Sequence, residues 1–299
     1  MTLQNTQLAD FLEYAEKAIA ESIPQIGEKS KLRDACEYAL LNGGKRLRPI
    51  IVFMVAKALD QKTDVTNVAL AAEYFHTASL IADDLPCMDN DDMRRGKPSL
   101  HKVYGEAVAL LASYALISAG YRCIYKNAHA RSDNPDNFLS GSGDEICMRA
   151  LENVTYNTGI AGATGGQFLD IYPPDQTLET LRRVIRAKTV ALFELSFVLG
   201  WLFGGGRIDR IEEVKRAAWH FGMAFQIADD FGDVEQDTSR GCKTNFVVVA
   251  GFEKALKVLQ EELSFLKESL SGLGLLEGGF QELVSGLSKA AEEHEAKQV

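Results

Sequence analysis

The chain has 299 residues, 46% of them hydrophobic and 25% charged, with a formal net charge of -10. That balance is ordinary for a globular protein and allows one large core or two smaller ones. The acidic excess, with no basic arm or stripe, argues against bulk nucleic-acid binding.

Apolar residues recur at spacings of three and four, clean alternation is scarce, and proline is rare at 7 of 299, so the chain reads as mostly helical. Residues Leu3–Ile23 read as an amphipathic helix ended by Pro24. A second helix, Lys31–Leu41, stops at Asn42-Gly43-Gly44. Lys45-Arg46-Leu47-Arg48 follows. Glycines beside cations can close on an anion; cations at a helix C-terminus also interact well with its dipole. Pro49 opens an apolar helix, Ile50–Leu59, and Thr66–Ala82 forms the next.

That helix runs into Asp83, Asp84, Asp89, Asp91 and Asp92, five aspartates in ten positions, with Arg94 and Arg95 just beyond. His76, Leu80 and Asp83 share one helical face. Pro86 should end or bend the helix near Asp84, so that a loop can return Asp89 toward Asp83. Such an acidic group is either a solvated helix end or a site for a divalent cation, since packed carboxylates repel without one. Arginine suits phosphate oxygens bidentately.

Lys102–Tyr125 reads as a long apolar helix and Ala128–Asp144 as a surface loop. Polar residues break the apolar runs at Ala107–Gly120 and Val190–Phe203, which read as buried helices short of a membrane span. Glu145–Gly166 is helical and leads into Gly165-Gly166-Gln167-Phe168-Leu169-Asp170, where small residues allow close packing or close ligand approach. Thr177–Gly200 is helical and carries Lys188 and Thr189 in apolar surroundings, where a lysine either snorkels or has a partner. In a later apolar helix Gln226, Asp229, Asp230 and Asp233 fall at i, i+3, i+4 and i+7, one charged stripe. Five cysteines without a CxxC pair suit reduced thiols in the cytoplasm, and no signal peptide is evident at the start.

Two aspartate clusters, each on an apolar helix, suggest two carboxylate walls facing across one cavity. Mg²⁺ between them would hold a diphosphate and make it a better leaving group. An apolar lining suits a hydrocarbon tail, and the chemistry that follows is departure of diphosphate to leave an allylic carbocation.

With these motifs the chain resembles the trans-prenyl diphosphate synthases (polyprenyl synthetases) of the farnesyl and geranylgeranyl type. The resemblance covers about Asn42 to Lys257. It rests on GGKRLRP at Gly43–Pro49, DDLPCMDNDDMRRGKP at Asp83–Pro98, GGQFLD at Gly165–Asp170, KT at Lys188–Thr189 and QIADDFGD at Gln226–Asp233. It implies a single all-α domain over 1–299, a bundle of antiparallel helices around a deep cavity, and a homodimer. It implies that Lys45, Arg48, His76 and Arg95 hold isopentenyl diphosphate. Asp83, Asp84 and Asp89 would bind Mg²⁺ on the allylic diphosphate, and Asp229, Asp230 and Asp233 a further Mg²⁺. Arg94, Lys188 and Lys243 would touch the allylic diphosphate, while Thr189 and Gln226 face the carbocation. The departing diphosphate is the expected proton acceptor.

The chain departs from the family pattern in a short segment, Glu235–Cys242, in Asn245-Phe246-Val247, and in Tyr114 where an aspartate is expected. Chain length depends on the cavity floor. Position 78 lies about 7.5 Å down the helix from Asp83 at roughly 1.5 Å per residue. Ala78, with Ser79 beside it, leaves room there, which predicts geranylgeranyl diphosphate, with farnesyl diphosphate the alternative. A non-catalytic partner subunit, a terpene cyclase, a metal phosphohydrolase and a purely structural protein are the rival readings. The second diphosphate motif opposes the cyclase, the lack of further histidines the phosphohydrolase, and the two acidic stripes the structural protein.

Overall fold

The computed structural model describes residues 7–60, 62–132, 141–240 and 244–296. The helices are α1 (Gln7–Ile26), α2 (Lys31–Leu40), α3 (Leu47–Ala58), α4 (Thr66–Asp83), α5 (Leu100–Tyr104), α6 (Glu106–Ser132) and α7 (Gly143–Thr158). They continue as α8 (Ala163–Ile171), α9 (Leu178–Ile185), α10 (Ala191–Phe203), α11 (Ile211–Arg240), α12 (Phe246–Ala250), α13 (Phe252–Leu273) and α14 (Gly278–Ala296). A π-helical turn, Arg186–Val190, joins α9 to α10. The only sheet among the described residues is a two-residue hairpin, β1 (Met93–Arg94) with β2 (Lys97–Pro98). The fold is all-α.

Two compact units make up the chain, one of Leu3–Val154 with Val198–Ile208, the other chiefly of Thr155–Phe197 with Asp209–Val299. In the first, α4 packs along α6 and α3. Its residues Val68–Phe75 are buried almost without interruption, so α4 is a central helix and not a half-exposed one. In the second, α11 packs along α13 over a core that includes Leu181, Ile185, Met223, Ile227, Phe231, Phe246 and Leu259.

The boundaries depart from the sequence reading in four informative places. Pro24 lies inside the last turn of α1 and does not end it. The expected helix over 102–125 breaks at Gly105, whose φ of 86° a glycine adopts freely, and α6 then runs on to Ser132, shortening the expected loop. Over Glu106–Ala130 this helix is long and apolar enough to cross a membrane by length and composition, which the sequence reading had excluded. It lies instead against α4: Ser113 Oγ donates to the Ala78 carbonyl at 2.9 Å, and a Cβ at Gly120 would come within 2.8 Å of the Phe75 ring. The helix expected over 177–200 is continuous only through the π turn, which holds an extra residue at Lys188 and Thr189.

Candidate active site

In the first unit, α4 ends at Asp83, as Pro86 requires, and the chain turns back so that Asp89 N donates to the Asp83 carbonyl at 2.9 Å. The return of Asp89 that the sequence anticipated is therefore present. Asp83 is half-buried and Asp89 exposed. Asp84 is different. It is 3% exposed, and its carboxylate accepts from both Nε and Nη2 of Arg94. Burial raises its pKa more than the bonds from Arg94 lower it. In this geometry Asp84 is paired with Arg94, and Arg94 lies against both Asp84 and Asp91.

The hairpin that follows was not legible as strand. Arg95 and Gly96 both have positive φ, 54° and 78°, the combination of a two-residue turn that matches strand twist. Asn42 Nδ2 fixes the hairpin by donating to the Arg94 carbonyl at 3.0 Å. Adjacent arginines thus diverge, Arg94 toward Asp84 and Arg95 toward α4 and the Gly43-Gly44 loop. Arg95 Nη1 donates to the Gly43 carbonyl at 2.5 Å, and Nη2 lies 3.4 Å from His76 Nε2. Gly44 is required here, because a Cβ on it would fall 2.5 Å from the Arg95 guanidinium carbon, and its φ is 119°.

Lys45 is exposed; Arg48 is half-buried, and its charge acts on Arg95 and His76. Burial and the Arg48 and Arg95 charges push the His76 pKa well below its ordinary value, so the imidazole is neutral at pH 7. Burial likewise lowers Arg48, to about 10, with Glu73 opposing. A neutral imidazole among guanidiniums can donate its one N–H to an anion without adding repulsion to the cations.

In the second unit, Lys188 and Thr189 are half-buried on the π turn. Lys188 Nζ pairs with Asp170 at 2.6 Å, which resolves its apolar surroundings in favour of a partner. The Gly-Gly step of α8 serves close packing: a Cβ on Gly166 would lie 2.4 Å from the Lys188 backbone nitrogen. Thr189 Oγ1 donates to Gln226 Oε1 at 2.8 Å, and Gln226 Nε2 donates to Asp230 at 2.8 Å. Asp230 is buried and also accepts from Phe246 N at 2.6 Å. Like Asp84, Asp230 is the inward member of its pair, while Asp229 and Asp233 are exposed. Lys243 lies outside the described residues.

Among the described residues no three or more His, Cys, Asp or Glu side chains form a ready-made ion cage. The more exposed carboxylates of each cluster nonetheless fit Mg²⁺, which binds through one or two carboxylates, water and substrate phosphates more often than through a full protein cage. Asp83 with Asp89, and Asp229 with Asp233, are the residues that would hold it. One residue the sequence reading missed is Glu73. Its signal was a carboxylate inside an apolar run, three residues before His76.

The Polyprenyl synthetase family matches residues 29–245. The chain belongs to that family. It is 38% identical over 238 residues to "Heterodimeric geranylgeranyl pyrophosphate synthase large subunit 1, chloroplastic" of Arabidopsis thaliana, covering 78% of this chain and 62% of that one. It is 35% identical over 270 residues to "Geranylgeranyl pyrophosphate synthase, chloroplastic" of Capsicum annuum, covering 86% and 70%. Among solved structures, a geranyltransferase from Legionella pneumophila superposes with a TM-score of 0.81 at 27% identity over 94% of this chain and 95% of that one. The chain thus spans about three fifths of the length of the first of these curated relatives.

Proposed function

We propose that the chain is a Mg²⁺-dependent trans-prenyltransferase that condenses isopentenyl diphosphate with an allylic diphosphate to give geranylgeranyl diphosphate. The observation that carries this reading is the pairing, within one unit, of a cationic nest with a carboxylate pair. Arg48, Arg95 and a neutral His76 suit one diphosphate directly; Asp83 and Asp89 suit a second through metal. A protein handling one diphosphate needs only one of these. The names of the relatives above support the substrate class.

When bound, Mg²⁺ neutralises charge that develops on the departing diphosphate. Lys188 sits beside Asp170, from which a diphosphate can draw it as a cation. Thr189 and Gln226, hydrogen-bonded to each other, are the oxygens assigned to stabilise developing positive charge. Lys45, Arg48, His76 and Arg95 orient the isopentenyl group as the attacking alkene. No side chain of this set is assigned as base, and the departing diphosphate takes the proton.

Ser79, not Ala78, is the residue to test for product length. Ala78 is 1% exposed, with its carbonyl bonded to Ser113 of α6. Ser79 lies three residues after His76 and four before Asp83, on their helical face, and is half-buried. Tyrosine at Ala78 would overpack the contact with α6. Ser79→Phe should shorten the product from C20 toward C15 with turnover kept; an unchanged C20 product would place the floor on another element.

A homodimer and a cytoplasmic location complete the proposal. A subunit that works only with a partner is the second reading, favoured by the relative named as a heterodimer subunit. One experiment addresses both. The purified chain alone is incubated with labelled isopentenyl diphosphate and dimethylallyl, geranyl or farnesyl diphosphate, with Mg²⁺ or with chelator. A labelled C20 diphosphate that forms only with Mg²⁺ is the expected result, and no product from any starter would favour the partner-dependent reading.

A further inference from the structure

The diphosphate nest stands on a buried ion network that none of its assigned ligands explains. Arg46, between Lys45 and Arg48, turns inward: its φ is 47°, and it is 2% exposed. Its Nη1 donates to Glu73 at 2.5 Å, its Nε to Glu16 at 2.7 Å and its Nη2 to the Leu40 carbonyl at 2.5 Å. Glu73 is 1% exposed and lies on α4, one turn before His76 and Thr77. The same Glu73 oxygen is 4.0 Å from Arg95 Nη1, which itself donates to the Gly43 carbonyl. One buried carboxylate therefore spans an arginine of the glycine-led loop and an arginine of the hairpin.

Three guanidiniums this close repel one another, and burial makes the repulsion stronger. Beyond burial itself, Glu73 is the largest charge acting on Arg46, Arg48 and Arg95 alike. It is attached to the central helix of its unit, so the point about which these cations gather is rigid. Arg46 points away from Lys45's exposed side and is committed to two carboxylates and a carbonyl, which makes it a strut between the loop and α4 and not a ligand.

We propose that Glu73 is a positioning residue which, with Arg46 as strut, holds Arg95 and the Gly43–Arg48 loop in the geometry that receives the diphosphate of the non-allylic substrate. The inference rests on the function proposed above. It has a sign that a purely electrostatic role would not give. Removing a carboxylate near Arg95 makes the nest more positive, and on charge alone an anion would then bind more tightly. If Glu73 acts by placement, the nest splays and binding weakens, because small misplacements of a binding group are costly.

The test is Glu73→Gln, nearly the same shape without the charge. With wild type first shown to turn over, steady-state kinetics separate KM for isopentenyl diphosphate from KM for the allylic substrate and from kcat. The expected result is a rise of roughly ten- to hundredfold in KM for isopentenyl diphosphate alone. The other two parameters should stay within about threefold, as expected when binding common to ground and transition states is lost. An unchanged or lowered KM for isopentenyl diphosphate, or an equal loss in all three parameters, overturns the assignment. Wild type inactive on its own would instead count against the stand-alone enzyme proposed above and for its partner-dependent form. Should Glu73→Gln not fold, Arg46→Met with Glu73→Leu replaces the buried pair by apolar groups of similar size and is read in the same way.

Discussion

Asp83→Ala should lose about three orders of magnitude in turnover while its helical circular dichroism and melting temperature stay near wild type. The expectation comes from contrast with its neighbour. Asp83 is half-buried at the end of α4, and the Asp89 backbone folds back to its carbonyl, so the pair flanks the tip of the helix. Asp84, one residue on, is buried against Arg94. If Asp83 acts by holding Mg²⁺ on the allylic diphosphate, its loss removes transition-state charge stabilisation, and a thousandfold effect corresponds to about 4 kcal/mol. Asp229→Ala should behave likewise, since Asp229 is the exposed first member of the second pair. Asp84→Ala should show the opposite balance: it removes the buried partner of Arg94 and leaves it only Asp91, and melting temperature should fall together with activity. Normal turnover in Asp83→Ala, measured with saturating Mg²⁺ and both substrates, would refute the metal assignment for α4.

These contrasts mark how far the sequence could be read. Helical periodicity located α4, α6, α10 and α11, which carry apolar residues at steps of three and four over many turns, but it left α13 and α14 unread. Pro86 announced the break after Asp83, and the ordered motifs carried the family. What periodicity could not divide was labour within an adjacent pair. Asp83 and Asp84 differ by about 100° around one helix, and which of them meets an arginine depends on a hairpin ten residues away. Arg46 and Arg48 pose the same problem, since only the left-handed backbone at Arg46 decides that its side chain goes inward. The π turn was invisible for another reason. One added residue in a helical run leaves the apolar pattern nearly intact, and the close seat of Gly166 against Lys188 is a tertiary fact. Pro24 does not terminate α1 but lies in its last turn, where the bond it fails to donate to the residue 20 carbonyl is one of the last in the helix.

Asp230→Ala should destabilise the protein by roughly 3–5 kcal/mol, more than any other single carboxylate removal in the second acidic cluster. Two donors depend on this buried side chain, the Phe246 backbone N–H at 2.6 Å and Gln226 Nε2 at 2.8 Å. Stranding a buried donor costs about 1–3 kcal/mol, and bonds to a charged acceptor lie at the upper end. The loss propagates in two directions. Phe246 N, the first residue of α12, loses its acceptor, so the start of α12 loosens, although the cap residue Asn245 keeps its bond to the residue 230 main-chain carbonyl. Gln226 loses the acceptor that fixes its amide, and with it the orientation of Thr189. Asp230→Asn tests the direction of that amide. Its side-chain oxygen can serve one donor, but its NH₂ then faces the other, so turnover should still fall, by roughly ten- to hundredfold, with a smaller loss of stability. Thermal melts and steady-state turnover on both variants separate the two roles open to this residue. A melting temperature within about 1 °C of wild type together with a thousandfold loss of turnover would return Asp230 to the metal. A melting temperature lowered on the order of 10 °C in the alanine variant, with partial turnover kept in the asparagine variant, assigns it to holding Gln226 and α12 in place.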